Sequence, residues 1–445
     1  MKFIFSDAID VVDPNYDFLK DRNSPDRKPY WDDLYPHEML DTVPYDGILV
    51  SRGIVGDHKF IGKYSATQRM RFLRVGARKF LRLNTEQLKD KLLFGDCGAF
   101  SFVKMDEPPY SAEEIVDFYG DGQFTHGCSI DHVIFDFDRE GTRLEGGSEE
   151  ARRRYEITLR NASQFIVASR VLGPNFTPLG VVQGWSPGSI AEAARRIERM
   201  GYSYLALGGM VPLSAESIHA VLKAVRRVIS PSTRIHLLGF AKAEQIDEFF
   251  EYGIESFDST SPLIRAFKDQ RANYYVLNPQ GGLDYYIAIR IPQATENPKL
   301  IRAAKSGKLR QEDLLGMEAR ALNLVRSYDS GGATLENTLE AVIEYNRVMI
   351  EAVDGVTPAT ERQLAQLRAH TERTLRVMPW KQCRCAICKT AAVETIIFRS
   401  SNRNKRRGFH NLAVYYEHLQ RTFPGQSHGR TPDIHSSQSE AECAA

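Results

Sequence analysis

What most limits the fold of this chain is a rhythm. Short apolar runs that close on a carboxylate, an amide or glycine alternate with amphipathic helical segments. The runs occupy residues 2–5, 47–51, 92–100, 132–136, 179–184, 204–209, 235–240 and 256–258. Helical spacing fills the gaps: Ile115, Phe118 and Tyr119 behind a Ser111/Glu114 capping box, then Tyr155, Leu159, Phe165 and Ile166. Ile190, Ala193, Ala194 and Ile197 stopped by Gly201, then Ile218, Val221, Leu222 and Val225, and finally Ile246, Phe249 and Phe250 before Gly253 continue the pattern. Strands alternating with helices specify a parallel sheet, and the number of repeats predicts an α/β fold, a (β/α)8 TIM-type barrel. An open dinucleotide-binding sheet loses support because no glycine-rich fingerprint follows a strand.

In such a barrel, catalytic groups collect where strands end. The pattern puts Asp96, Asp136, Gln183 and Asp258 there. Taken singly, each is as readily a polar cap on a turn as a catalytic group. Their joint spacing favours a site. A basic stretch at 69–82 reads as helix, with either a solvated or a phosphate-binding face.

At 445 residues, 42% hydrophobic and 26% charged, the chain can bury one large core and a smaller one. Its net charge of +1 gives no global pull toward nucleic acid, so local patches would have to hold such a partner. No apolar run approaches the roughly 18 residues of a membrane span, and the first residues lack a basic-then-apolar signal pattern. A soluble, cytoplasmic protein is the expectation. The barrel should occupy 1–267; a hairpin around 279–282 and helices over 312–328, 335–353 and 360–377 should form an added block at 268–378. A metal segment at 379–421 and a disordered tail at 422–445, poor in anything to bury, complete the division. For the aromatic and acidic segment at 15–46 the sequence suggests no chemistry.

Of six cysteines, three crowd into Cys383, Cys385 and Cys388. With a histidine they make the donor set of a closed, tetrahedral, structural zinc site. His410 is the preferred fourth ligand, on the reading that 399–407 is a closing loop ahead of a helix at 410–419; His418 is the alternative.

These motifs resemble the tRNA-guanine transglycosylase family, zinc-containing barrels that exchange guanine for a 7-deazaguanine base. The resemblance runs from Asp96 to Asp258 and resumes at the cysteines and His410-Asn411-Leu412. It implies Asp258 as nucleophile and Asp96 as general acid/base at the head of an Asp-small-Gly-small-Phe motif. It further implies Asp136, Gln183, Gly208, Gly209 and Leu238 at the base, with Phe100 stacking on it. The whole, including the N-terminal 1–22 and 45–56, is most similar to the DpdA branch, which acts on DNA and inserts 7-cyano-7-deazaguanine. The partners implied are DNA, the free base and an ATPase helper. Where queuosine-type enzymes carry a glutamate for an aminomethyl cation, Ser214 stands here; Ser101 and Pro262-Leu263-Ile264-Arg265 also depart from the tRNA enzymes. A tRNA-acting enzyme of the same chemistry and a catalytically idle zinc protein that binds nucleic acid remain alternatives.

Overall fold

The computed structural model describes residues 1–240, 242–268, 271–296, 298–307 and 309–424, so the tail expected at 422–445 falls outside the described residues from 425 onward. Eight parallel strands close into a barrel in chain order: β1 (Lys2–Ser6), β2 (Gly47–Ser51), β3 (Leu92–Asp96), β4 (His126–Cys128), β5 (Thr177–Val182), β6 (Tyr204–Leu207), β7 (Arg234–Leu237) and β8 (Ile254–Ser259). Closure is made by β1 against β8, with Ile4 opposite Asp258, while β2 and β3 bring Ser51 opposite Asp96. Strand alternation explains the two layers of apolar packing. Ile4, Leu49, Phe94, Cys128, Leu179, Val181, Tyr204 and Ala206 fill the barrel's interior. Residues on the outward side of the strands, such as Leu205, Ile235 and Phe257, share a second core with helix residues including Phe165, Ile197 and Val221.

The helices follow the periodicity. Ser111 and Glu114 satisfy each other's backbone N–H groups at the start of Ala112–Gly122, and Gly253 takes the left-handed conformation that ends the 3-10 helix Ala243–Tyr252. The basic stretch lies in a helix over Ala66–Phe80, interrupted at Gly76, whose φ of 78° leaves the helical region.

Two sequence expectations fail. No strand covers 132–136: β4 ends at Cys128, and 129–138 run without regular structure across the barrel's mouth. Nor is 399–407 a loop, because one helix, Ser401–Thr422, spans most of it and continues through His410. The helical pattern there is masked in sequence by arginines, which sit inward because they find partners. Arg403 and Arg399 both engage Asp21; Arg399 also pairs with Glu318 and Arg403 with Glu394, whose other oxygen takes Arg326. The guanidinium of Arg407 binds the carbonyls of Ala266, Thr395 and Ile397. The acidic N-terminal segment thus supplies counter-charge that fastens the last helix to the barrel.

A second core lies beyond the barrel. The hairpin β9 (Tyr274–Leu277) and β10 (Leu283–Tyr286) and a two-residue strand pair, β11 (Ile289–Arg290) with β12 (Ile397–Phe398), join the helices Gln311–Asp329, Leu335–Asp354 and Pro358–Val377. Leu314, Val325, Val342, Tyr345, Leu375 and Trp380 are among the side chains at its centre. Among the described residues, no helix is long and apolar enough to cross a membrane.

Candidate active site and metal centre

A cavity of about 270 Å³ opens at the carboxyl ends of the barrel strands. Asp96, Asp131 and Asp258 all line it, together with Gln183, Gly208, Gly209, Phe100 and Leu238. Each is held there by local backbone.

Asp258, near the end of β8, is buried and gripped on both oxygens. Its Oδ2 accepts from Ser6 Oγ at 2.6 Å, and its Oδ1 accepts from the Gly239 N–H at 2.8 Å and lies 3.2 Å from His236 Nε2. Because a carboxylate oxygen accepts, His236 carries its proton on Nε2. Its Nδ1 then accepts from Ser256 Oγ at 2.6 Å, and Ser256 in turn accepts from Tyr204 OH at 2.6 Å. The chain of donors ends on the carboxylate and fixes its rotamer. Gly239 reaches it by adopting φ 62°, a left-handed conformation suited to glycine.

Asp96 closes β3, and its pKa is raised to about 7. Burial is the main cause and the negative charge of Asp131 adds to it, while Ser51 and the Gly98 N–H, 3.1 Å from Oδ2, act the other way. Near neutral pH this carboxyl can hold or release a proton. Gly98, at φ 85°, turns the chain sharply after it and sends Phe100 to the surface beside the cavity, 65% exposed.

The floor is a pair. Gln183 Nε2 donates to Asp131 Oδ2 at 2.7 Å, and Cys97 Sγ donates to Asp131 Oδ1 at 3.2 Å. Burial raises the Asp131 pKa, and these two hydrogen bonds oppose the rise. Gly208 makes room for the amide, since a Cβ there would lie 2.3 Å from Gln183 Nε2. Gly209, at φ 72°, turns beside the same side chain.

Asp136, expected at the base, stands elsewhere. It is exposed, does not line the cavity and accepts a hydrogen bond from Ser148 Oγ at the start of helix Glu149–Ala168. The cause is the misplaced strand: with β4 ending at Cys128, the carboxylate that turns inward is Asp131. The sequence carried that signal in Ser129-Ile130-Asp131, a polar pair flanking an apolar residue just past His126-Gly127-Cys128, but the longer apolar run after it was the stronger pattern. Ser6, Ser51 and His236 were likewise missed; Ser6 and Ser51 close runs already read as strands. One other buried acid, Asp7, has its pKa raised to about 6 by burial and by Asp10; it faces Tyr64 rather than the cavity.

A carboxylate held by three neighbouring groups, sharing a cavity of this size with an acid that can hold a proton near neutral pH, suits displacement at a carbon that bears a basic leaving group. Over 433 residues the chain is 39% identical to a protein of Salmonella montevideo named DNA-guanine transglycosylase, a match that covers 97% of this chain and 99% of that one. It belongs to the DNA-guanine transglycosylase family. No protein-family model matches it. As a member of that family it is a pentosyltransferase.

In this transglycosylase the second candidate centre lies between the two cores. Cys383, Cys385, Cys388 and His410 bring their ligand atoms within 4.8 Å of one another, a cluster that can hold a metal ion. His410 Nδ1 is 3.4 Å from each of the three sulfurs. A tetrahedron with Zn–S of about 2.3 Å and Zn–N of about 2.0 Å has S···N edges of roughly 3.5 Å. The donors therefore fit a zinc ion. His410 Nε2 donates to the Tyr275 carbonyl at 2.8 Å, which leaves the Nδ1 lone pair for the sulfurs, and Tyr274 OH lies 3.0 Å from Cys388 Sγ. His418 is the wrong histidine: its Nδ1 binds the Gly281 carbonyl at 2.8 Å.

Proposed function

We propose that this enzyme removes guanine from DNA and installs 7-cyano-7-deazaguanine in its place by double displacement. The observation that carries the reading is the meeting of Asp258, Asp96 and the Asp131–Gln183 pair in one cavity. An ionised Asp258 oxygen attacks C1′ of the deoxyribose; the C1′–N9 bond breaks, its electron pair goes to N9 and Asp96 delivers a proton there. The covalent Asp258–deoxyribose ester holds the sugar while the bases exchange. The incoming base gives its N9 proton to the now ionised Asp96, N9 attacks C1′, and the ester bond returns its electrons to Asp258. With Ser6, Gly239 and His236 around it, the carboxylate keeps its orientation through both steps.

Recognition follows from donor and acceptor chemistry. Asp131, in place of Asp136, accepts from the guanine N1 and N2 donors, and the amides of Gln183 and Gly209 serve O6. Phe100 stacks on the flipped base, offsetting part of the few kcal/mol that flipping costs. Leu238 and Gly208 line the same cavity. Ser214 caps helix Ala215–Arg226, accepting from the Ser217 N–H, and apart from the three aspartates no acid among the described residues lines the cavity. A neutral 7-cyano base is therefore favoured over its aminomethyl analogue, whose ammonium would lose water without a partner. Cys383, Cys385, Cys388 and His410 hold zinc, which acts as a structural crosslink between the cores.

The test is direct. The zinc-loaded protein is incubated with plasmid DNA, the cyano base and, in parallel, its aminomethyl analogue or bulk tRNA; the nucleosides are then quantified by mass spectrometry. The reading expects the cyano-deazaguanine deoxynucleoside with release of one guanine per insertion. Incorporation confined to tRNA, or no guanine exchange in either nucleic acid, would overturn it.

A further inference from the structure

A second cavity, of about 330 Å³, lies in the added block and shares no lining residue with the barrel mouth. It sits among β11, the helix Leu335–Asp354 and the helix Pro358–Val377. Arg290 is its focus. The backbone is pinned twice: Arg290 stands opposite Phe398 in the β11–β12 pair, and its carbonyl accepts from Asn346 Nδ2 at 2.8 Å. The guanidinium has no counter-ion among the described residues; its one described side-chain contact is the Phe398 ring, 5.7 Å away. Burial lowers its pKa, and the only group opposing that is the phenol of Tyr345. Guanidinium stays charged regardless, so a half-buried cation on this cavity has no bonded anion among the described residues.

The other arginines of this core are different. Arg399 and Arg403, buried more deeply, each have two carboxylates, and buried Arg407 is held by backbone carbonyls. Those arginines are met by carboxylates or carbonyls, whereas the Arg290 guanidinium has neither among the described residues. A second unmet demand lies on the same wall: Asn346 is fully buried, spends Nδ2 on the carbonyls of Arg290 and Val342, and leaves Oδ1 without a partner. Gln366 and His370 add hydrogen-bonding groups from the neighbouring helix, while Met349 and Val353 make part of the wall apolar. Asp354, also on the lining, is not among the groups that shift Arg290.

We propose that this cavity binds a phosphoryl group, held by Arg290, on a ligand of nucleotide size whose own hydrogen-bond donor meets Asn346 Oδ1. The volume lies at the lower end of the range for small-molecule sites, and an apolar wall beside a fixed guanidinium suits a ligand with both an anionic head and a planar body. The same phosphoryl chemistry is carried by a free mononucleotide or by the DNA backbone. The proposal does not depend on the exchange reaction.

The experiment uses the full chain loaded with zinc, in chloride buffer, as wild type, Arg290→Gln and Val353→Phe. Val353→Phe fills the cavity and leaves Arg290 in place, so a folding defect in the first variant does not leave the question open. Thermal melting is followed with inorganic phosphate and with deoxyguanosine monophosphate, and binding of a labelled duplex is followed by anisotropy across a salt series. For a free nucleotide, the wild-type melting temperature should rise by about 3 °C near hundredfold saturation, and neither variant should respond. For a backbone phosphate, nucleotides should have no effect, and both variants should bind the duplex more weakly, with the salt slope reduced by about one. A nucleotide shift that survives in both variants, or unchanged melting and DNA binding throughout, overturns the proposal.

Discussion

The barrel mouth and the arginine-rich seam behind the last helix both bury charge, and they do so in opposite ways. At the seam each buried charge is met by charge or dipole of the other sign: Asp21 receives Arg399 and Arg403, Glu394 receives Arg403 and Arg326, and Arg407 is held by backbone carbonyls. At the mouth three carboxylates share one cavity with no arginine or lysine on its lining. Pairing satisfies a charge and ends its chemistry. Burial, with the like charge of Asp131 added to it, instead raises the Asp96 pKa and leaves that carboxyl able to hold a proton near neutrality. The contrast separates groups that fasten this molecule from groups that act.

Substitutions should divide along that line. Asp258→Asn, which removes the attacking charge and keeps the size, should abolish base exchange in DNA while leaving melting temperature and zinc content near wild type. Residual exchange above one part in about 10⁴ would assign attack to another group. Asp96→Asn should be milder, because proton transfer is typically worth about 10²–10⁴-fold, and the covalent adduct with labelled DNA should form more slowly than in the wild type on a denaturing gel. At the seam the signs reverse. Arg403→Met removes one of the two cations from each of Asp21 and Glu394 in a buried site and should cost about 3 kcal/mol in denaturant unfolding, without changing the pH dependence of exchange in the fraction that stays folded. A seam variant that alters that pH dependence would erase the distinction.

The Asp96 carboxyl gives a finer test. Its folded pKa, raised from 3.8 to about 7, means that the native state binds the proton more tightly than the unfolded chain does. Stability linked to this group is therefore fully present below pH 3.8 and is lost as pH rises toward about 7. Asp96→Asn should consequently raise the melting temperature at pH 8 and change it little at pH 4. Base release in the wild type should fall off as pH rises above about 7, and that limb should vanish in the variant.

Much of the mouth was legible in the sequence because strand ends advertise themselves. Asp96, Gln183, Gly209 and Asp258 each close an apolar run, and a parallel barrel gathers such ends. The seam was hidden for the converse reason. Arg403, Arg406 and Arg407 read as part of a closing loop, and only partners far away in the chain, such as Asp21 and the carbonyls of Asp13 and Ala266, make their burial affordable. The three cysteines were legible as a cluster. His410 was preferred because a closing loop was read at 399–407, which is in fact helix, so the histidine does lie beside the cysteines but not for the reason given.

The smallest expected effect tests the one place where the mouth was misread. Asp131 and Asp136 lie five residues apart, and either could be matched to the base by eye. Asp131 lies on the cavity floor against Gln183, whereas Asp136 faces solvent and accepts from Ser148. Asp131→Asn swaps an acceptor for a donor against the guanine N1–H and also turns an N–H toward Gln183, so kcat/KM for exchange should fall by about 10²-fold or more, with the loss in KM for the free base as well as in kcat. Asp136→Asn removes only a surface hydrogen bond near a helix start and should leave kcat/KM within about twofold and stability within about 0.5 kcal/mol. The reverse ranking would show that 129–138 rearranges when DNA binds, carrying Asp136 inward and Asp131 out. The crowding of carboxylates at the mouth would then belong to the unbound enzyme alone.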